Sequence, residues 1–100
     1  MEIKKTIDGK NMTLALEGYL DTSTAPELKQ LLTETMDGLD SLTLDFGDLE
    51  YVSSAGLRVL LTTHNAMAKK GGLKIIRVNE EIMDSLAVTG LADMLNVEKA

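Results

Sequence analysis

Residues 51–61, YVSSAGLRVLL, set two adjacent serines and a glycine between a strand-like segment and an apolar helix. One serine is accounted for as a helix cap, its oxygen accepting from a free backbone N–H of the first turn and contributing about 1 kcal/mol. A cap needs only one hydroxyl. With Ser53 as the cap, Ser54 falls at the first helical position with its hydroxyl exposed, where free N–H groups and the helix dipole favour negative charge. A phosphoryl group there adds about −1.5 to −2 charges and suits a helix start. Gly56, in the same turn, gives up about 1 kcal/mol of helix propensity relative to Ala. Close packing against a sheet and close approach of another protein both account for it.

Other chemistries fail on residue type or spacing. A serine at a strand-to-helix turn invites comparison with a nucleophile elbow, but the position two before Ser54 is Val52 rather than Gly. The single histidine, His64, lies ten residues along the same helix, roughly 15 Å away, so it cannot serve Ser54 as a base. It reads as a packed structural histidine. One histidine and no cysteine leave only carboxylates for metal, and Asp45, Asp48 and Glu50 lack the spacing of a ligand loop. They read as solvated turn charge. Gly47, Gly56 and Gly71-Gly72 never assemble into a phosphate-binding loop. No catalytic residue, cofactor site or metal site is expected.

Sixteen acids against ten bases give a formal charge of −6, which repels a nucleic-acid backbone. The absence of cysteine excludes disulfides and thiol chemistry and agrees with a reducing compartment. No apolar run approaches the roughly 20 residues that span a bilayer, and MEIKKTIDGK has no signal-peptide core. A soluble, cytoplasmic protein that contacts neither nucleic acid nor membrane is expected. With 44% hydrophobic residues but one Phe, two Tyr and no Trp, the core must be aliphatic. No aromatic recognition surface is expected.

The elements that must position the serines follow from periodicity. Asp8-Gly9-Lys10 supplies hairpin-turn chemistry between Ile3–Ile7 and the alternating Met12, Leu14 and Leu16. Thr24 and Glu27 have capping-box spacing, Pro26 falls in the first turn, and Leu28, Leu31, Leu32 and Met36 form one face of a helix that Gly38 can end. A strand over 41–46 follows. The chain then turns into the helix begun by Ser53, with Leu57, Leu60, Leu61, His64 and Ala68 on its apolar side and Arg58, Thr62, Asn65 and Lys69 on a polar stripe. Gly71-Gly72 closes this helix, 73–78 is a strand, Asn79 caps a helix ending at Gly90, and 94–100 reads as a last strand. The order β-β-α-β-α-β-α-β predicts one α/β domain over residues 1–100, a mostly parallel sheet with an antiparallel edge hairpin.

Three segments resemble the STAS-domain family, in particular the single-domain anti-sigma factor antagonists of bacteria, over essentially the whole chain. LEGYLDTSTAPELKQLL (16–32) is similar to the family's G-x-L-D…A-x-x-L segment. LTLDFGDLEYVSSAGLRVLL (42–61) is similar to its strand, D-L turn and D-S-S/A-G-L phosphorylation motif, and GGLKIIRVNEEIMDSLAVTGL (71–91) to its final strand and helix. The resemblance implies the STAS fold, a mixed sheet of four to five strands packed with helices. It also implies that Ser54 is the phosphate acceptor. Ser53 stands where the family has aspartate and Ala55 where a second serine is common; Ser53 replaces that aspartate as a cap but not as a charge. Asp21 matches an aspartate beside the family's docking surface, so Asp21, Ser53, Ser54, Gly56 and Arg58 form the expected partner-binding set.

By this resemblance the chain is a non-enzymatic switch. Unphosphorylated, it sequesters an anti-sigma factor that is itself a serine kinase and so frees a sigma factor; phosphorylation of Ser54 breaks the complex and a serine phosphatase resets it. A phosphorylation-independent STAS scaffold or ligand-binding module is the alternative, motivated by the aspartate lost at position 53. A receiver domain phosphorylated at Asp45 is a third reading, weakened by the missing acidic pair after the first strand.

Overall fold

A computed structural model describes all residues 1–100. Gly9, at φ +64°, makes the two-residue turn that joins β1 (Glu2–Asp8) to β2 (Asn11–Leu20), a backbone conformation open to glycine. The remaining elements are α1 (Ala25–Thr35), a 3₁₀ turn at Met36–Gly38, β3 (Ser41–Val52), α2 (Ser54–Met67), β4 (Leu73–Val78), α3 (Glu80–Val88), the single-turn α4 (Leu91–Met94) and β5 (Asn96–Lys99). The sheet order is β1-β2-β3-β4-β5, antiparallel for the first pair and parallel thereafter. The expected five-stranded limit and the edge hairpin are both present.

Because sequential parallel strands are also spatial neighbours, their right-handed crossovers carry α1, α2 and α3 to one face of the sheet. Burial follows that asymmetry. In β2 and β3, Met12, Leu14, Leu16, Leu42, Leu44 and Phe46 are buried, while the alternate Thr13, Ala15, Thr43 and Asp45 are only partly covered. The buried set joins Leu28 and Leu32 of α1, Leu60 and Met67 of α2 and Leu86 of α3 in one aliphatic core.

Four expectations change. β2 runs past Leu16 to Leu20 and β3 past Phe46 to Val52, because the two strands keep pairing through register shifts at Glu17 and Tyr19. The capping box at Thr24 does not form. Instead the Thr24 hydroxyl donates to the Tyr19 carbonyl at 2.7 Å and accepts the Asp21 N–H at 2.9 Å, so it is not free to cap. On α2 the buried stripe is Gly56, Val59, Leu60, Thr63 and Met67. Leu57, Leu61 and His64 flank it half-buried and Ala68 is exposed; the helix is rotated so that its glycine, rather than Leu57, faces the sheet. Finally, α4 precedes the last strand, which narrows to four residues.

Asp45, Asp48 and Glu50 are also not a turn cluster, since all lie within β3. Pairing of β3 with β4 stops at Asp45↔Ile76, and there Arg77 grips Asp45 in a fork, Nε donating to Oδ1 at 2.9 Å and Nη2 to Oδ2 at 2.8 Å. Arg77 is the one non-glycine residue with positive φ, +55°, a strained conformation held by this geometry. The Arg77 hydrogen bonds hold the Asp45 carboxyl below its ordinary value against the opposing effect of burial, with the Gly47 N–H assisting. A depressed folded-state value stabilises the fold above the unfolded value and is lost as pH falls through the folded one. Asp45→Asn is therefore expected to lower the thermal midpoint at neutral pH by an amount that shrinks below pH 3.8 and vanishes at lower pH. Thermal melts followed by circular dichroism across that range check this, and a gap independent of pH contradicts it.

Candidate functional site

The candidate site sits at the carboxyl ends of β2 and β3, where open α/β sheets commonly bind ligands. Leu20 pairs with Val52 in the parallel ladder, and the Ser53 N–H donates to the Leu20 carbonyl at 2.8 Å. The loops after the two strands therefore leave the sheet side by side, bringing Asp21 next to Ser53 and Ser54.

Asp21 is partly buried and organises its own loop. Its Oδ1 accepts from the N–H groups of Ser23 at 2.9 Å and Thr24 at 3.1 Å, and its carbonyl accepts from Ala25 N–H at 2.7 Å. This side-chain turn starts α1 in place of the expected capping box. Ser53 takes an extended conformation, φ −88° and ψ 177°, at the N-cap of α2. The Gly56 N–H donates to its Oγ at 3.4 Å, a long bond, and the Leu57 N–H donates to its carbonyl at 2.9 Å. Ser54 is the first helical residue and is exposed.

Gly56 is buried against the sheet rather than open to a partner. A Cβ there would lie 2.8 Å from Leu20 Cγ, 2.9 Å from Val52 Cγ1 and 3.0 Å from the Leu20 carbonyl oxygen. Close packing accounts for the residue, because it lets the first turn of α2 rest on the strand ends. The polar stripe of α2 is as expected, with Arg58, Thr62, Asn65 and Lys69 all exposed.

Two clefts flank α2. Between α1 and α2 lies one of about 120 Å³, lined by Lys29, Leu32, Met36, Arg58, Val59 and Thr62 among others, with no acid. Between α2 and α3, a shallower and wider one of about 470 Å³ is lined by Tyr51, Ser53, Ser54, Leu57, Glu81 and Asp84 among others, with no base. Val88, 87% exposed, also borders it.

Sequence reasoning missed the tyrosines. Tyr19 and Tyr51 are register partners, 53% and 49% exposed, one residue before the paired strand ends. Tyr51 lines the cleft that holds Ser53 and Ser54, and its partner Tyr19 extends the aromatic surface onto β2, contrary to expectation. Each precedes its strand end by one position, and their pairing exists only because β2 and β3 extend to Leu20 and Val52. Glu81 and Asp84 escaped notice because only tertiary packing brings α3 beside Ser54. Asp45, the alternative phosphoacceptor, has a side chain only 15% exposed and engaged by Arg77, which removes the basis of the receiver reading.

The serine pair thus starts a helix packed on the one covered face of a mostly parallel sheet, with Ser53 as its half-buried cap and Ser54 open to solvent. A family model described as Mlab, STAS domain, matches residues 3–96, and the chain belongs to the STAS-domain family. Among curated proteins it is 29% identical over 101 residues to the anti-sigma-B factor antagonist of Staphylococcus aureus (strain NCTC 8325 / PS 47), covering 99% of this chain and 94% of that protein. It is also 29% identical over 83 residues to the anti-sigma-B factor antagonist of Bacillus subtilis (strain 168), covering 82% and 76%.

Among solved structures, an anti-sigma factor antagonist from Mycobacterium paratuberculosis superposes with a TM-score of 0.88 at 21% identity, covering 99% of this chain and 86% of that one. The anti-sigma factor antagonist SpoIIAA in its unphosphorylated form gives 0.83 at 12% identity, covering 96% and 87%. These neighbours share the fold. No helix is long and apolar enough to cross a membrane.

The packing of Gly56 makes a specific demand. Gly56→Ala gains about 1 kcal/mol of helix propensity but drives its methyl into Leu20 and Val52, so a net destabilisation of about 1–3 kcal/mol is expected. Ser53→Ala, which loses the long cap bond, should cost about 0.5–1 kcal/mol, and Ser53→Asp should restore it. Urea denaturation of the three variants measures both effects.

Proposed function

We propose that this protein is an anti-sigma factor antagonist whose binding is controlled by phosphorylation of Ser54. The observation that carries the reading is the exposed Ser54 at the first position of α2, beside a second serine that supplies the cap. Unphosphorylated, the protein binds an anti-sigma factor through the surface around Asp21, Ser53, Ser54 and Arg58, and releases the sigma factor that the anti-sigma factor held. Gly56 contributes by seating α2. The same anti-sigma factor, acting as a serine kinase, phosphorylates Ser54, and a serine phosphatase reverses the step. The protein itself performs no catalysis.

The physical basis is the charge change. A phosphate at the centre of a closed interface must be stripped of water and paired, and where the partner offers no cation the complex is weakened. The fold is spared, because free N–H groups of the first turn face the phosphate.

Two measurements test this. Incubation with the cognate kinase and ATP should add one phosphate by intact mass in the wild type and none in Ser54→Ala; absence of phosphate on the wild type, or its persistence on the variant, rejects the switch. Ser54→Asp should weaken the complex about tenfold or more, each tenfold being about 1.4 kcal/mol. Equal capture of the partner by wild type and Ser54→Asp instead favours a phosphorylation-independent STAS scaffold, the reading suggested by Ser53 in place of the family's aspartate.

A further inference from the structure

Arg58 stands one helical turn after Ser54 on α2, and both residues are exposed. Side chains at this spacing are neighbours on the helix surface, with Cβ atoms about 6 Å apart. The protein's ion pairs join Lys74 to Glu98 and Arg77 to Asp45, leaving the Arg58 guanidinium unpaired. Its own helix cannot supply a counter-ion, since α2 contains no acidic residue. Across the α1–α2 cleft it meets Lys29, another cation without a partner. The α1–α2 cleft is thus lined by two cations and no acid.

On the opposite flank of α2, the cleft that Ser54 lines carries Glu81 and Asp84 and no base. A dianion attached to Ser54 is therefore repelled from the α3 side and attracted toward the α1 side, where the nearest cation on its own helix is Arg58. An arginine fork matches phosphate oxygens in shape as well as charge.

We propose that Arg58 is the intramolecular counter-ion of phosphorylated Ser54, swinging from the α1–α2 cleft onto the phosphoryl group. This rests on the phosphorylation switch proposed above and adds a second consequence to it. Phosphorylation not only places negative charge on the first turn of α2 but also withdraws a cation from the adjoining cleft, so two neighbouring surfaces change together. Lys29 is left as the only cation lining that cleft.

Phosphoserine inserted at position 54 of the full chain during translation tests the pair without any kinase. The second ionisation of phosphoserine falls near pH 6, at about that value in an unpaired setting. A neighbouring cation favours the dianion and lowers it. Phosphorus NMR titration of the phosphorylated wild type should give a value roughly 0.2–0.4 unit below that of phosphorylated Arg58→Gln, with Arg58→Lys restoring part of the difference. The helix N-terminus acts equally on all three, so the difference isolates residue 58. Phosphorylation should also shift the Arg58 Nε–Hε resonance in nitrogen-edited spectra of the wild type. Equal titration curves for wild type and Arg58→Gln, or an unmoved Arg58 resonance, overturn the proposal. Those results would leave the switch itself standing, with the phosphate acting on the partner alone. Conversely, failure of the kinase to modify Ser54 would reject the switch while the titration still decided whether the pair forms.

Discussion

Everything at the site depends on the parallel pairing of β2 with β3 being carried to the ends of both strands. From Asn11↔Ser41 to Leu20↔Val52 the ladder persists through its register shifts, and the Ser53 N–H closes it on the Leu20 carbonyl. That last bond sets where α2 begins. It brings the Asp21 turn alongside Ser53 and puts Leu20 and Val52 beneath Gly56. Shortening of either strand would separate the two loops and remove the floor on which the first turn of α2 rests. The clamp of Arg77 on Asp45 complements this ladder on its other side, at the point where β3 parts from β4.

The one-sided architecture then decides how α2 is used. Its buried stripe holds it to the sheet, its polar stripe faces solvent, and its two flanks border clefts lined by charges of opposite sign. Ser54 lies at the end of the acidic cleft and one turn from the free cation of the basic one. Attached negative charge has an asymmetric environment there, and a helix start is tolerant of it. A partner covering Ser54 would meet the two tyrosines, Leu57 and Val88 as apolar surface, with acids on one side and Arg58 and Lys29 on the other.

Features governed by neighbours in sequence were legible. The Asp8–Asn11 turn, the caps at Ser53 and Asn79, the bounds of β4 and the exposed face of α2 each follow from a few adjacent residues whose preferences agree with the fold. The Asn79 cap is the clear case, its Oδ1 accepting the Ile82 N–H at 2.8 Å while its Nδ2 donates to the Leu49 carbonyl at 3.1 Å. Where a residue had competing partners, local reading failed. Thr24 and Glu27 carry capping-box spacing, yet Asp21, three residues before Thr24, captures the backbone donors and the strand carbonyl of Tyr19 takes the hydroxyl.

By itself the sequence determined the α/β class, the mostly parallel sheet and the serine pair at the start of α2, because hydrophobic period and capping chemistry act over a few residues. The tertiary structure decided which face of α2 is buried, because a glycine without Cβ can approach Leu20 and Val52 and Leu57 cannot. It also decided that the strands run on to Leu20 and Val52, that Tyr19 meets Tyr51, and that Glu81 and Asp84 face Ser54. These are contacts between segments distant in sequence, set by strand register and helix packing, and no local pattern of residues encodes them.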